Sequence, residues 1–300
     1  MTPHSLIALA LAMLVTMGSA GRSLEAAPLV SRVLATDSTL HHQLYERTHP
    51  KSNAGNPAAI VVLIHGWSCD SSYWDAQLPA LVAYHDVLTV DLAGHGRSPL
   101  GEQDGSMASF AADVASLLNE LPPDKPLILA GHSMGGPVAI ETAHLLGERV
   151  RGVIGVDTFA SVTWPPTPAA EVTKRLAAFQ ADFAATTAAF VSQSFFRSDA
   201  DPALKSRIVA DMSAGNPIIG KAAIRGLNDW RGLERMRTIR VPIVTINADQ
   251  VPIDVERIRS DVSQFRAITL EGLGHFLMME APQRFNPLLL ATIDELINTD

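Results

Sequence analysis

The chain has 300 residues, of which 47% are hydrophobic and 18% charged, enough for one large globular core or two ordinary ones. Its 31 acidic residues outweigh 23 basic ones to give a formal charge of -8, and no basic run occurs, so nucleic acid and anionic membrane surfaces are excluded as expected partners. The one cysteine, Cys69, allows no intrachain disulfide, so stability must come from the core.

In chain order, the apolar stretch Leu6 to Met17 precedes the small residues Gly18-Ser19-Ala20, which reads as a signal peptide over residues 1–20, extending at most to about residue 27. Met1 to Ser5 lacks Lys and Arg, so an uncleaved anchor is the competing reading. Export to the periplasm or the exterior is expected, with no membrane span once the signal is removed. Ser31 to Arg47 reads as two short strands, and Lys51 to Pro57 as a polar link.

Ala59 to Ile64 is a continuous apolar run, as suits a parallel strand covered on both faces. Similar runs recur at Val87 to Val90, Pro126 to Ala130 and Val150 to Val156. Helix-length segments with three- and four-residue apolar spacing, such as Ser106 to Leu121 and Gly136 to Leu146, alternate with them. Strands alternating with helices predict an α/β fold with a doubly wound, mostly parallel sheet. From Thr158 to Arg240 the alternation stops, and Ala, Leu and Phe fall at helical spacing, so residues 158–240 are expected to form a helical cap. Strand patterns return at Pro242 to Ile246 and Arg266 to Leu270, and Pro282 to Thr299 supplies a final amphipathic helix. Residues 31–157 and 241–300 thus make the core.

Gly131-His132-Ser133-Met134-Gly135 fits G-x-S-x-G between a strand and a helix, the context the motif needs. A serine on so tight a turn requires small neighbours and stands above the sheet at a helix N-terminus. Its hydroxyl is a weak nucleophile at neutral pH and needs an imidazole to take its proton. His275, on the glycine-flanked loop Gly272-Leu273-Gly274-His275 after the last strand, follows Ser133 in the order expected. The negative oxygen made on attack needs preorganised N–H donors. Met134, directly after the nucleophile, offers one, and Trp67, in the loop after Ala59 to Ile64, offers the second. Cys69 reads as packing near the pocket, and the remaining histidines lack metal-ligand spacing.

With His65-Gly66-Trp67, Asp91-Leu92-Ala93-Gly94-His95-Gly96-Arg97-Ser98, the Gly-His-Ser-Met-Gly-Gly elbow and Gly274-His275-Phe276 in view, the chain resembles the α/β-hydrolase superfamily from about Ser31 to its C-terminus. The resemblance implies the α/β-hydrolase fold, an eight-stranded sheet flanked by helices with a cap inserted after strand six, and no metal or organic cofactor. It also implies a structural role for Asp91 and His95.

The acid that orients His275 departs from the family pattern, because the position after strand seven where it usually stands is Val251. Asp249 stands two residues earlier, and Asp157, directly after Val150 to Val156, occupies the alternative place at the end of strand six. Asp254 reads as the start of the next helix. One of Asp157 and Asp249 is the triad acid; Asp157 is preferred, since strand register decides which carboxylate reaches His275.

The reading implies a serine hydrolase that cleaves an ester-like bond of a small or medium-sized, fairly apolar molecule through an acyl-enzyme. Trp164, Phe179, Phe183, Phe190, Phe195 and Phe196 supply apolar surface in the cap, either for substrate or for the cap's own core. Lactones, amides, C–C bonds and peracid formation are further chemistries of such a triad, and a low-turnover binding or sensing protein is the alternative of another class.

Overall fold

The computed structural model describes residues 29–49 and 59–298; the expected signal segment and the polar link Lys51 to Pro57 lie outside them. In chain order the elements are β1 (Ser31–Arg32), β2 (His42–Tyr45), β3 (Ile60–Ile64), α1 (Leu78–Val82), β4 (Asp86–Val90), α2 (Met107–Asn119), β5 (Leu127–His132), α3 (Gly135–Leu146) and β6 (Val150–Val156). Then follow α4 (Ala169–Ala181), α5 (Phe183–Ser194), α6 (Pro202–Ser213), α7 (Pro217–Asp229) and α8 (Gly232–Met236). The chain closes with β7 (Ile243–Ala248), α9 (Val255–Arg259), β8 (Phe265–Leu270), α10 (Leu277–Glu280) and α11 (Pro282–Asn298).

Among the described residues the strands form one eight-stranded sheet, ordered β1-β2-β4-β3-β5-β6-β7-β8. β1 and β2 pair antiparallel, and β2 joins β4 antiparallel; every later pairing is parallel. Burial explains the sequence pattern. Every side chain of β3 is buried, because helices cover both faces, and Val62, Leu63 and Ile64 have no exposed surface. Each such side chain contributes roughly 1.5–3 kcal/mol relative to an exposed one.

β5 runs two residues beyond the expected Ala130, because Gly131 pairs with Gly155 and His132 with Val156 across β6. Only at Ser133 does the chain leave the sheet. α3 likewise begins at Gly135, so the strand-to-helix turn is shorter than the sequence pattern suggests.

All the helices from α4 to α8 lie between β6 and β7 in the chain. Their starts are local: Asp182, Asp201 and Asn216 each accept backbone N–H bonds as N-caps, with Pro202 and Pro217 at the first helical position. The apolar stripe from Ala178 to Phe196 is two helices, because Asp182 ends α4 and caps α5.

Candidate active site

The sheet delivers Ser133 at the end of β5 in a left-handed conformation, φ 50°, a strain of roughly 1–2 kcal/mol for a residue with a side chain. Three hydrogen bonds hold it there. Its N–H donates to the Val156 carbonyl (2.9 Å), while its carbonyl accepts from the Gly136 N–H (3.0 Å) and the Thr158 hydroxyl (2.9 Å). The flanking glycines are required by space: a Cβ at Gly131 would strike the Gly135 backbone, and one at Gly135 would strike the carbonyls of Ile64 and His65.

His275 and Asp157, 118 residues apart in the chain, meet through a 2.5 Å hydrogen bond from imidazole Nδ1 to carboxylate Oδ2. Both side chains are about one-seventh exposed. The other oxygen, Oδ1, accepts the Ala248 N–H (2.8 Å), and the Asp157 N–H donates to the Ile246 carbonyl (3.0 Å), so β7 fixes the carboxylate. Holding Nδ1 against a carboxylate leaves Nε2 as the nitrogen free to accept a proton. The His275 ring sits against the elbow, its centroid 4.8 Å from that of His132 beside Ser133.

Asp249 lies apart from this pair. Its Oδ1 accepts the Gly272 N–H (3.0 Å) and faces the Arg197 guanidinium at 3.5 Å, so it ties the histidine loop to the cap. Asp254 caps α9 by accepting the Arg257 N–H.

The loop after β3 packs onto Ser133: a Cβ on Gly66 would stand 3.3 Å from the Ser133 Cβ. Trp67 and Met134 are buried, and among the described residues neither backbone N–H donates to a protein acceptor. Buried donors are normally paired, so two unengaged amides flanking a serine suit an incoming anionic oxygen. Ser68 also holds a positive φ of 55°.

A buried frame supports the loop. The Leu92 N–H donates to His65 Nε2 (2.9 Å), which leaves Nδ1 to donate to the Gly66 carbonyl (2.8 Å); burial depresses the His65 pKa and keeps the ring neutral. Asp91 accepts the N–H groups of Ser71 (2.8 Å) and Arg97 (2.9 Å). Its burial opposes charge, yet these bonds outweigh that and hold the carboxyl below the ordinary carboxylate range. Burial pushes His95 down to about 3. Cys69 is buried, its S–H directed at the Trp67 carbonyl (3.3 Å), and burial raises the thiol well above its ordinary value, so it stays protonated. Among the described residues no three His, Cys, Asp or Glu side chains converge as metal ligands would.

Residues 158–240 reach this frame at Trp67 and Ser68. The Trp67 indole N–H donates to the Gly220 carbonyl (2.8 Å) and the Ser68 hydroxyl to the Met212 carbonyl (2.8 Å). The Trp67 ring meets Phe179, Phe183 and Phe190 at centroid distances of 5.7, 6.0 and 6.3 Å. From Phe190 the aromatic line continues to Phe195 (5.0 Å) and on to the His275 ring (4.3 Å). Phe179 and Phe183 are buried, Phe190 is 40% exposed, and Trp164 is 58% exposed, outside this line. Phe196 instead packs on Phe276.

Glu141 belongs to no sequence motif. This carboxylate is buried on α3, where it accepts from the Trp230 indole (2.8 Å) and from Arg235 Nε (2.9 Å), fastening the helix after the nucleophile to α8. The available signal was one acid inside the apolar run of α3.

A model described as the alpha/beta hydrolase family matches residues 61–288, and the chain belongs to that family. The enzyme is a hydrolase. Over 238 residues it is 26% identical to a pimeloyl-[acyl-carrier protein] methyl ester esterase of Neisseria meningitidis serogroup C, covering 76% of this chain and 91% of that protein. A shorter match, 40% identical over 96 residues, is to the dihydrolipoyllysine-residue acetyltransferase component of the acetoin cleaving system of Pseudomonas putida. That match covers 32% of this chain and 26% of that protein. Among solved structures, a thermophilic esterase from Thermogutta terrifontis aligns with TM-score 0.73 at 21% identity, over 91% of this chain and all of that one.

Proposed function

We propose that the enzyme hydrolyses an ester-like bond through an acyl-enzyme, with Ser133 as nucleophile, His275 as general base and Asp157 as the acid that orients it. The 2.5 Å contact between His275 and Asp157, at a serine held with positive φ, carries the reading. Ser133 Oγ attacks the carbonyl carbon as His275 Nε2 takes its proton; the oxyanion receives the Trp67 and Met134 N–H groups, each worth about 10²–10³ in rate. Collapse expels the alcohol, protonated by the imidazolium, and water activated by His275 then releases the acid. Asp157 balances the imidazolium and holds its tautomer.

The substrate side is an apolar small or medium-sized acyl compound, a reading supported by Phe190 and Phe195 extending from His275. Residues 158–240 serve as the cap that selects it. Cleavage of a methyl ester, as in the name of the Neisseria relative, fits the same geometry. The test is labelling with a fluorophosphonate and turnover of p-nitrophenyl acyl esters. Wild-type protein is expected to be labelled on Ser133, and Ser133→Ala to lose about 10⁴-fold or more in kcat while keeping its fold. Unlabelled wild type, or turnover retained by Ser133→Ala, would refute the assignment.

A further inference from the structure

Five hydrogen bonds hold residues 272–275 of the loop that carries His275, and two of them are made by the His275 peptide. The Gly272 N–H goes to Asp249 (3.0 Å) and the Gly274 N–H to Glu280 (2.9 Å). The His275 N–H donates to the Phe195 carbonyl (2.9 Å), and the His275 carbonyl lies 2.9 Å from His132 Nε2. The fifth is the Asp157 contact already described. Of these partners only His132 is covalently next to the nucleophile.

His132 is 1% exposed. A carbonyl at hydrogen-bond distance can only accept, so the proton sits on Nε2, and the ring is neutral with Nδ1 unprotonated. Among the described residues Nδ1 has no partner; it faces Gly66, whose added Cβ would stand 2.9 Å away. Burial, reinforced by the neighbouring His275, holds the ring well below the ordinary histidine range.

We propose that His132 is a positioning residue: its Nε2–H bond to the His275 carbonyl bolts the base-bearing loop to the nucleophile's strand and sets the separation of Ser133 and His275. The two residues are 143 positions apart, and β5 holds His132 in sheet register against Val156, so the bond carries the rigidity of the sheet into the loop. Apolar filling of the same space would pack the loop without fixing its register, because dispersion contacts are non-directional whereas the N–H to carbonyl bond is not.

The inference rests on the reading of Ser133 and His275 as nucleophile and base, and the test separates the two. His132→Phe keeps a ring and removes the donor; His132→Gln places an amide N–H at similar reach. The second-order rate of fluorophosphonate labelling, kcat and KM are measured for wild type and both variants, with thermal melts to establish folding. His132→Phe is expected to lose about tenfold or more in labelling rate and kcat with KM changed less than threefold, and His132→Gln to regain most of the loss at the same melting temperature. Equal rates in folded His132→Phe and wild type, or a His132→Gln as slow as His132→Phe, would overturn the positioning role. Should His132→Phe melt below assay temperature, His132→Asn is compared with His132→Gln in the same assays, and equal rates at the two side-chain lengths would likewise overturn it. Wild type that fails to label would instead remove the proposed hydrolysis itself.

Discussion

The sheet core and the helical insertion between β6 and β7 are built on opposite principles. In the core, β3 and β5 are buried at every residue, and α3 buries nine of its twelve. In the insertion, α4 buries only Leu176 and Phe179 of thirteen, and α6 only Ile208 and Met212 of twelve. The core fixes backbone, and through it the positions of Ser133, Asp157 and the Trp67 and Met134 amides. Residues 158–240 join that frame through apolar packing and through directed bonds that include those of Trp67, Ser68, Glu141, Asp249 and the His275 N–H. Close packing tolerates little change in the sheet core, whereas helices that bury only a narrow stripe leave most of their positions free to vary.

The sharpest way to break this contrast is to exchange two aspartates, one on each side of it. Asp157→Asn removes the carboxylate that the core presents to His275, and kcat is expected to fall about 10⁴-fold. Asp249→Asn, at the link between the histidine loop and Arg197 of the cap, is expected to lose less than tenfold. Steady-state kinetics on both variants decide it, and equal losses would make the link as important as the pair.

Acid should act on the core first. His65, His95 and His132 are buried there with depressed pKa values, and residues 158–240 contain no histidine. The unfolded chain takes up protons near an ordinary pKa of about 6.5 while the folded chain resists, so stability present above that pH is lost as pH falls below it. For His95 the loss continues down to about pH 3. Each group contributes up to about 1.4 kcal/mol per pH unit in that window. Urea denaturation at pH 7, 6 and 5 should show stability falling by more than 1 kcal/mol per unit; a flat profile would contradict the neutral buried rings.

The smallest expected effect lies at the seam. Trp67→Phe keeps the ring in the aromatic line and the backbone amide near Ser133, but removes the bond to Gly220. A loss of about 1 kcal/mol in stability and a raised KM with kcat nearly unchanged are expected from melts and kinetics. A collapse of kcat would mean that the cap holds the amide itself.

The elbow was legible because its requirements are local. A turn with φ 50° at Ser133 needs glycines at 131 and 135, and strand and helix patterns on either side announce it. The alternation that gives a parallel sheet was legible for the same reason. Strand ends were less so: Gly131 and His132 look like turn residues, yet they complete the ladder to β6. His132 read only as the variable position of a motif, and Glu141 as one acid in an apolar helix, because the partners of each are about 90 to 140 residues away.

Sequence by itself determined the α/β core, the helical insertion, the serine and the histidine, since each follows from periodicity or from a motif within a few residues. The acid was a choice between Asp157 and Asp249 that no local pattern could make. Tertiary structure brings Asp157 to His275 through register: β6 pairs with β7 so that the Asp157 N–H meets the Ile246 carbonyl and its carboxylate meets the Ala248 N–H, leaving Oδ2 on His275 Nδ1. Asp249, one residue past the end of β7, accepts from the loop's backbone instead. Contacts between distant segments depend on how the sheet stacks its strands, and a one-residue shift in pairing would have turned the other face of the strand towards the base.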